Sequence, residues 1–158
     1  MKTVLFALWF LVFSVRVMPA GEPSPIPKHF IARLGYSTGR QCYVELHNGI
    51  LNYEFSFRGL SYQNPETVKP TEAQWREFRK ALDDLNVWQW RAVYEKEELS
   101  HGCYWSVDLT YTDHTVKVRG RDSYPDAAGK PDGDPEYTEA FNRFLKAINT
   151  LVGRIIFR

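Results

Sequence analysis

The stretch SHGCYW, residues 100–105, sets a histidine two residues ahead of a cysteine. Side chains two apart on an extended strand share a face, so His101 would stand beside Cys103, as a thiolate nucleophile requires. The alternation that follows argues the other way. Cys103 is in phase with Trp105, Val107 and Leu109, a face made for burial, and a buried thiol keeps its proton. Cys42 is likewise in phase with Val44 and Leu46. Both cysteines therefore point to one interior. In an oxidising compartment two such thiols tend to be oxidised, so a Cys42–Cys103 disulfide is expected, with two buried free thiols as the alternative.

The opposite phase of the same segments carries Tyr43, Glu45, Glu54, Tyr104, Asp108, Lys117 and Arg119. Two carboxylates at a set separation across a cleft would suit glycoside hydrolysis. On an open sheet face, such carboxylates are more simply solvated side chains. Aromatic residues mixed with both charges also suit a binding surface, and this is the candidate site. Metal chemistry finds no support. The four histidines, His29, His47, His101 and His114, have no ligand spacing, and a zinc site needs about four ligands. Asp126, Asp132, Asp134 and Glu136 in the acidic loop do not fit the calcium-loop pattern. There is no glycine-rich phosphate loop, no G-x-S-x-G and no H-E-x-x-H, so no cofactor is expected. Trp88 and Trp90 alternate as in a short strand and are read as closing the core rather than as a stacking platform.

These residues must be positioned by a chain of 158 residues, 44% of them hydrophobic and 15% aromatic, enough for one domain with one core. Lys2, the apolar run at 4–15 and the small residues Ala20 and Gly21 read as a signal peptide over 1–20, cleaved near Ala20. The run is too short for the ~20 residues of a membrane span; a retained anchor is the alternative. The expected location is secreted or periplasmic, with no stable membrane insertion after cleavage. Loss of Lys2 and Arg16 leaves 18 basic against 19 acidic residues, a net −1. Nucleic-acid binding, which needs a basic excess, is not expected. GEPSPIPK (21–28) is a proline-rich linker, and 29–158 form the domain.

HFIARLG (29–35) is a strand. Asn48-Gly49 is a type I′ hairpin signal. It pairs Leu46 with Leu51, Val44 with Tyr53 and Cys42 with Phe55 on one face, and Glu45 with Asn52 and Tyr43 with Glu54 on the other. Thr71 and Gln74 form a capping box before a helical stripe of Trp75, Phe78, Leu82 and Leu85, which Asn86 ends in a left-handed turn. A second hairpin turning at Asp113-His114 pairs Tyr111 with Val116, Leu109 with Val118 and Asp108 with Arg119. Asp134 caps, and Pro135 begins, a second helix with a stripe of Tyr137, Phe141, Phe144, Ile148 and Leu151, ended by Gly153; RIIFR then packs or adds an edge strand. The fold class is α+β: about five antiparallel strands in the order β-β-β-α-β-β-α, with both helices on one face.

Three short elements are shared with known sequences: Trp90-x(3)-Tyr94, Gly102-x-x-Trp105 and Gly120-x-x-x-Tyr124-Pro125. With them, residues 75–152 resemble a loose group of small uncharacterised bacterial proteins, often secreted, although His101 stands where Asp is expected. The resemblance implies fold and no chemistry. The expectation is a non-enzymatic binding domain that meets an unknown protein or small ligand through its open sheet face. A hydrolase with an unrecognised acidic site and a structural envelope or extracellular component are the alternatives.

Overall fold

The computed structural model describes residues 23–61, 65–95, 102–126, 131–132 and 137–157. The expected signal peptide, His101 and the Asp134-Pro135 helix start lie outside the described residues. Strands β1 (His29–Tyr36), β2 (Arg40–His47), β3 (Ile50–Phe57), β4 (Leu60–Ser61) and β5 (Glu66–Val68) precede helix α1 (Glu72–Asp84). A 3-10 turn (Val87–Gln89) follows, then β6 (Val93–Glu95), β7 (Cys103–Thr110), β8 (Thr115–Arg121), β9 (Tyr124–Pro125), β10 (Pro131–Asp132) and helix α2 (Glu139–Val152).

The main sheet runs β4-β3-β2-β1-β7-β8-β6, and β5 shares the outer edge of β3 with β4. The α+β class holds, and β1, β2, β3, β7 and β8 are the five antiparallel strands. The sheet is larger than expected and mixed, because the short β6 runs parallel to β8. The β2–β3 hairpin has the expected register throughout. Asn48 and Gly49 both have positive φ, 51° and 77°, as the type I′ turn demands.

Both helices cover one face. In α1 the Thr71–Gln74 capping box is formed, Trp75, Phe78 and Leu82 are buried, and Asn86 is left-handed at φ 51°. Phe78 lies 5.3 Å from Phe30 of β1, and Phe141 of α2 lies 4.7 Å from Trp105 of β7, ring centre to ring centre. The start of α2 differs from expectation. Its cap is Thr138, whose Oγ1 accepts from Phe141 N at 3.1 Å, so Tyr137 stands before the helix rather than in its stripe. Gly153 ends α2 at φ 75°. The tail packs rather than adding a strand: Asn149 Oδ1 accepts from Ile156 N and Phe157 N at 2.9 and 3.0 Å, and both side chains are buried.

Trp88 and Trp90 are not in a strand; they flank Gln89 in the 3-10 turn and its exit. Trp90 is buried against Trp105 and Phe144, in keeping with the packing reading. The second hairpin is corrected by two residues. Thr110 pairs with Thr115, so Leu109 faces Val116 and Asp108 faces Lys117. Residues 111–114 form a loop closed by Tyr111 N–H donating to His114 O at 2.7 Å. The cause lies on α1, at the surface. Arg79 of α1 donates to both carboxylate oxygens of Asp113 at 3.0 and 2.9 Å and lies 4.6 Å over the ring of Tyr111, drawing that residue out of the ladder. A shift of two leaves every side chain on its expected face.

The disulfide expectation fails. Both cysteines are free and buried. β1 lies between β2 and β7, so Cys42 and Cys103 stand at least two strand spacings apart, about 9.6 Å, beyond the ~7 Å Cα limit for a bridge. Cys42 instead donates to Ile156 O at 2.9 Å. Burial pushes its thiol up to about 11 and raises Cys103 as well. Neither is a thiolate at neutral pH, which leaves no nucleophile among them.

Candidate binding site on the open sheet face

The face away from the helices is a grid set by strand register. One row across the sheet reads Asn52, Glu45, Ile31, Asp108, Lys117. The next reads Glu54, Tyr43, Arg33, Ser106, Arg119, Val93. The third reads Ser56, Gln41, Gly35, Tyr104, Arg121, Glu95. All seven residues expected to form the binding surface occupy this face.

The grid is not flat. A concavity of about 830 Å³ lies over the second and third rows. Its floor is low at Gly35 and Ser106, which have little or no side chain, and Tyr43, Glu54, Tyr104, Arg119, Arg33, Arg121 and Glu95 line it. Four of the seven expected residues, Tyr43, Glu54, Tyr104 and Arg119, are therefore brought together. Glu45, Asp108 and Lys117 fall in the first row and do not line the concavity. Asp108 pairs with Lys117 at 3.1 Å, and Glu45 accepts from the phenol of Tyr43. Burial, then this carboxylate, raises the Tyr43 hydroxyl above its ordinary value.

Gly35 has no reason of its own to be glycine. Its φ is not in the left-handed region, and an added Cβ would meet only Gln41 Cγ at 3.6 Å and Arg40 O at 3.8 Å, ordinary contacts. A strand glycine without backbone cause often marks close approach by another group. Around the gap, Tyr104 is 45% exposed with the Arg121 guanidinium 5.1 Å above its ring. Arg121 Nε is buried with no hydrogen-bond partner among the described residues. Arg33 lies 5.1 Å over Tyr43, and Arg119 approaches Glu95 at 3.8 Å.

Glu54 and Glu95, the two carboxylates that line the concavity, are not placed as a hydrolytic pair. Glu54 on β3 and Glu95 on β6 are five strands apart, roughly 24 Å on a flat sheet at ~4.8 Å per strand. The carboxyls of glycosidases stand about 5–9.5 Å apart. Among the described residues, no three His, Cys, Asp or Glu side chains gather as a metal site would need.

No family model matches this sequence, and no curated protein is significantly similar to it.

The elements Trp90 to Tyr94, Gly102 to Trp105 and Gly120 to Pro125 have a physical account of their own, on the opposite face. Trp90, Tyr94 and Tyr124 place their rings 6.4, 5.7 and 6.4 Å from Trp105, and Trp105 Nε1 donates to Ser123 O at 2.9 Å. Asp122, fully buried at φ 49°, accepts from Gly102 N and Cys103 N at 3.0 and 2.8 Å, fixing the start of β7. All three elements thus build the seat of one indole.

Sequence reasoning missed Arg33, Gly35, Ser106, Arg121 and Glu95. Arg33 and Gly35 were within reach: Phe30, Ala32 and Leu34 alternate as core, which sends 33 and 35 to the open face. Ser106 follows by the same count from Trp105. Arg121 and Glu95 depend on how far β8 extends and on the pairing of β6, which no local pattern reveals.

Proposed function

We propose that the protein is a secreted or periplasmic binding domain that takes its ligand in the concavity of the open sheet face. One observation carries this reading: the gap over Gly35, ringed by two tyrosines and three arginines, which neither backbone geometry nor packing requires. Concave sites with convergent polar groups on a preformed scaffold are the usual form of small-ligand sites. The wide separation of Glu54 from Glu95 and the raised thiols favour binding over hydrolysis. A purely structural role would not need the concavity.

The test is a titration of isotopically labelled protein with a diverse fragment library, followed by amide correlation spectra. Binders should shift amides of residues 33–35, 41–43, 104–106 and 119–121 together, and Gly35→Leu should remove those shifts. Binders that cluster elsewhere, or persist unchanged in Gly35→Leu, would overturn the reading.

A further inference from the structure

The same concavity specifies a ligand class, on the condition that the open face is the binding site. The side of Tyr104 toward β8 is occupied by Arg121. The side toward β1 looks across Gly35 to Gln41 on β2. Tyr104 and Gln41 are two strand spacings apart, about 9.6 Å. A ring in contact with Tyr104 takes up ~3.5–4 Å of that span, and contact with Gln41 takes up much of the rest. Gln41 Cγ already leans to 3.6 Å from where a Cβ of Gly35 would stand, which narrows the slot further and suits one flat ring better than a thicker, puckered one.

The neighbouring row supplies charge. Arg33 and Arg119 stand on either side of Ser106 in the strand register. Arg33 lies over Tyr43 and Arg119 reaches Glu95, and the short Ser106 side chain leaves both room to turn inward. Glu54 and Glu95 lie at the outer columns of the grid, so three arginines face two carboxylates and the centre is left cationic. Guanidinium groups match carboxylates in a planar, two-bond geometry. The 830 Å³ volume lies within the ~300–1,000 Å³ of small-molecule sites.

We infer that the concavity binds a small aromatic carboxylate, its ring on Tyr104 above Gly35 and its carboxylate between Arg33 and Arg119 over Ser106. Isothermal titration with 4-hydroxybenzoate and 1-naphthoate tests this, with benzamide, cyclohexanecarboxylate and glucuronate as comparators. The aromatic acids should bind saturably. Benzamide, which lacks the charge, should bind at least about tenfold more weakly, the scale of one hydrogen bond to a charged group. The two non-planar acids, which keep the charge but lose ring contact with Tyr104, should be weaker by about tenfold as well. Arg119→Gln should weaken the aromatic acids by about tenfold. Gly35→Leu should abolish binding with an unchanged circular dichroism spectrum and no loss of melting temperature.

Equal binding of cyclohexanecarboxylate or glucuronate would overturn the planar slot. Equal binding of benzamide would overturn the role of the arginines. If no aromatic acid binds while library fragments still map to residues 33–35 and 104–106, the ligand class falls and the site stands. If neither occurs, both fall.

Discussion

Two glycine–aromatic pairs sit back to back in this sheet and have opposite fates. On the covered face, Gly120 of β8 pairs with Trp105 of β7. A Cβ on Gly120 would come within 2.1 Å of Trp105 Nε1, so the indole fills the space that glycine leaves. On the open face, Gly35 of β1 pairs with Tyr104, the residue next to Trp105. There a Cβ would meet nothing closer than 3.6 Å. One glycine makes room for the protein's own ring, and the other makes room that no described side chain fills. In a strand, a missing side chain costs stability in either case, so the second vacancy needs a cause outside the fold.

The comparison is broken most severely at the covered pair. Trp105 is 3% exposed and touches Trp90, Tyr94, Tyr124 and Phe141. Trp105→Ala should cost about 3–5 kcal/mol, as large core truncations do, read as the shift in the urea unfolding midpoint. Gly120→Ala should cost about 2–3 kcal/mol by forcing the indole off its seat and stretching its hydrogen bond to Ser123. A loss below about 0.5 kcal/mol for Gly120→Ala would show that the two glycines are equivalent and that the contrast is empty.

What could be read in advance divides along the same line. The β2–β3 hairpin was legible because Asn48-Gly49 fixes the turn locally and alternation then fixes the register. Helix α1 was legible from Thr71, Gln74 and a stripe of Trp75, Phe78 and Leu82. The pairing of β6 was not, since three residues carry little pattern and Tyr94 is placed by Trp105, eleven positions on. The β7–β8 register was displaced because Arg79, on another element, captures Asp113. The disulfide was wrongly expected because shared orientation says nothing of strand order, and β1 inserts between the two cysteines. The open face followed from alternation, but its concavity did not: Gly35 read as the end of a strand, when its importance lies in what stands beside it.

The Arg79 clamp offers a milder test of how the covered side is held. Arg79 is 15% exposed at its side chain and bonds both Asp113 and Asp83. Its hydrogen bonds hold the Asp113 carboxyl well below the usual carboxylate range. A carboxyl depressed in the folded state contributes stability above its unfolded pKa, near ~3.9, and that contribution is lost as pH falls toward the folded value. Arg79→Gln should therefore cost about 1–2 kcal/mol at neutral pH, discounted for the partly exposed partner. It should also flatten the loss of stability expected of the wild type below about pH 4, read in urea midpoints. An acid limb of unchanged slope in Arg79→Gln would assign that limb to other carboxylates.

The smallest effect is the most informative. Gly35→Ala places a methyl group in ordinary van der Waals contact and removes backbone freedom from the unfolded chain. It should leave the fold unharmed or stabilise it by about 0.5 kcal/mol, the opposite sign to Gly120→Ala. The pair of substitutions is chemically identical and the positions lie on the same sheet, so differences in unfolded-state entropy largely cancel in the comparison. A stabilising alanine at 35 would mean that glycine there is retained at a cost to the fold. That is the signature of a position kept open for a ligand. A destabilising alanine would mean that the fold itself needs the glycine, and the gap beside Tyr104 would then be only a by-product of packing.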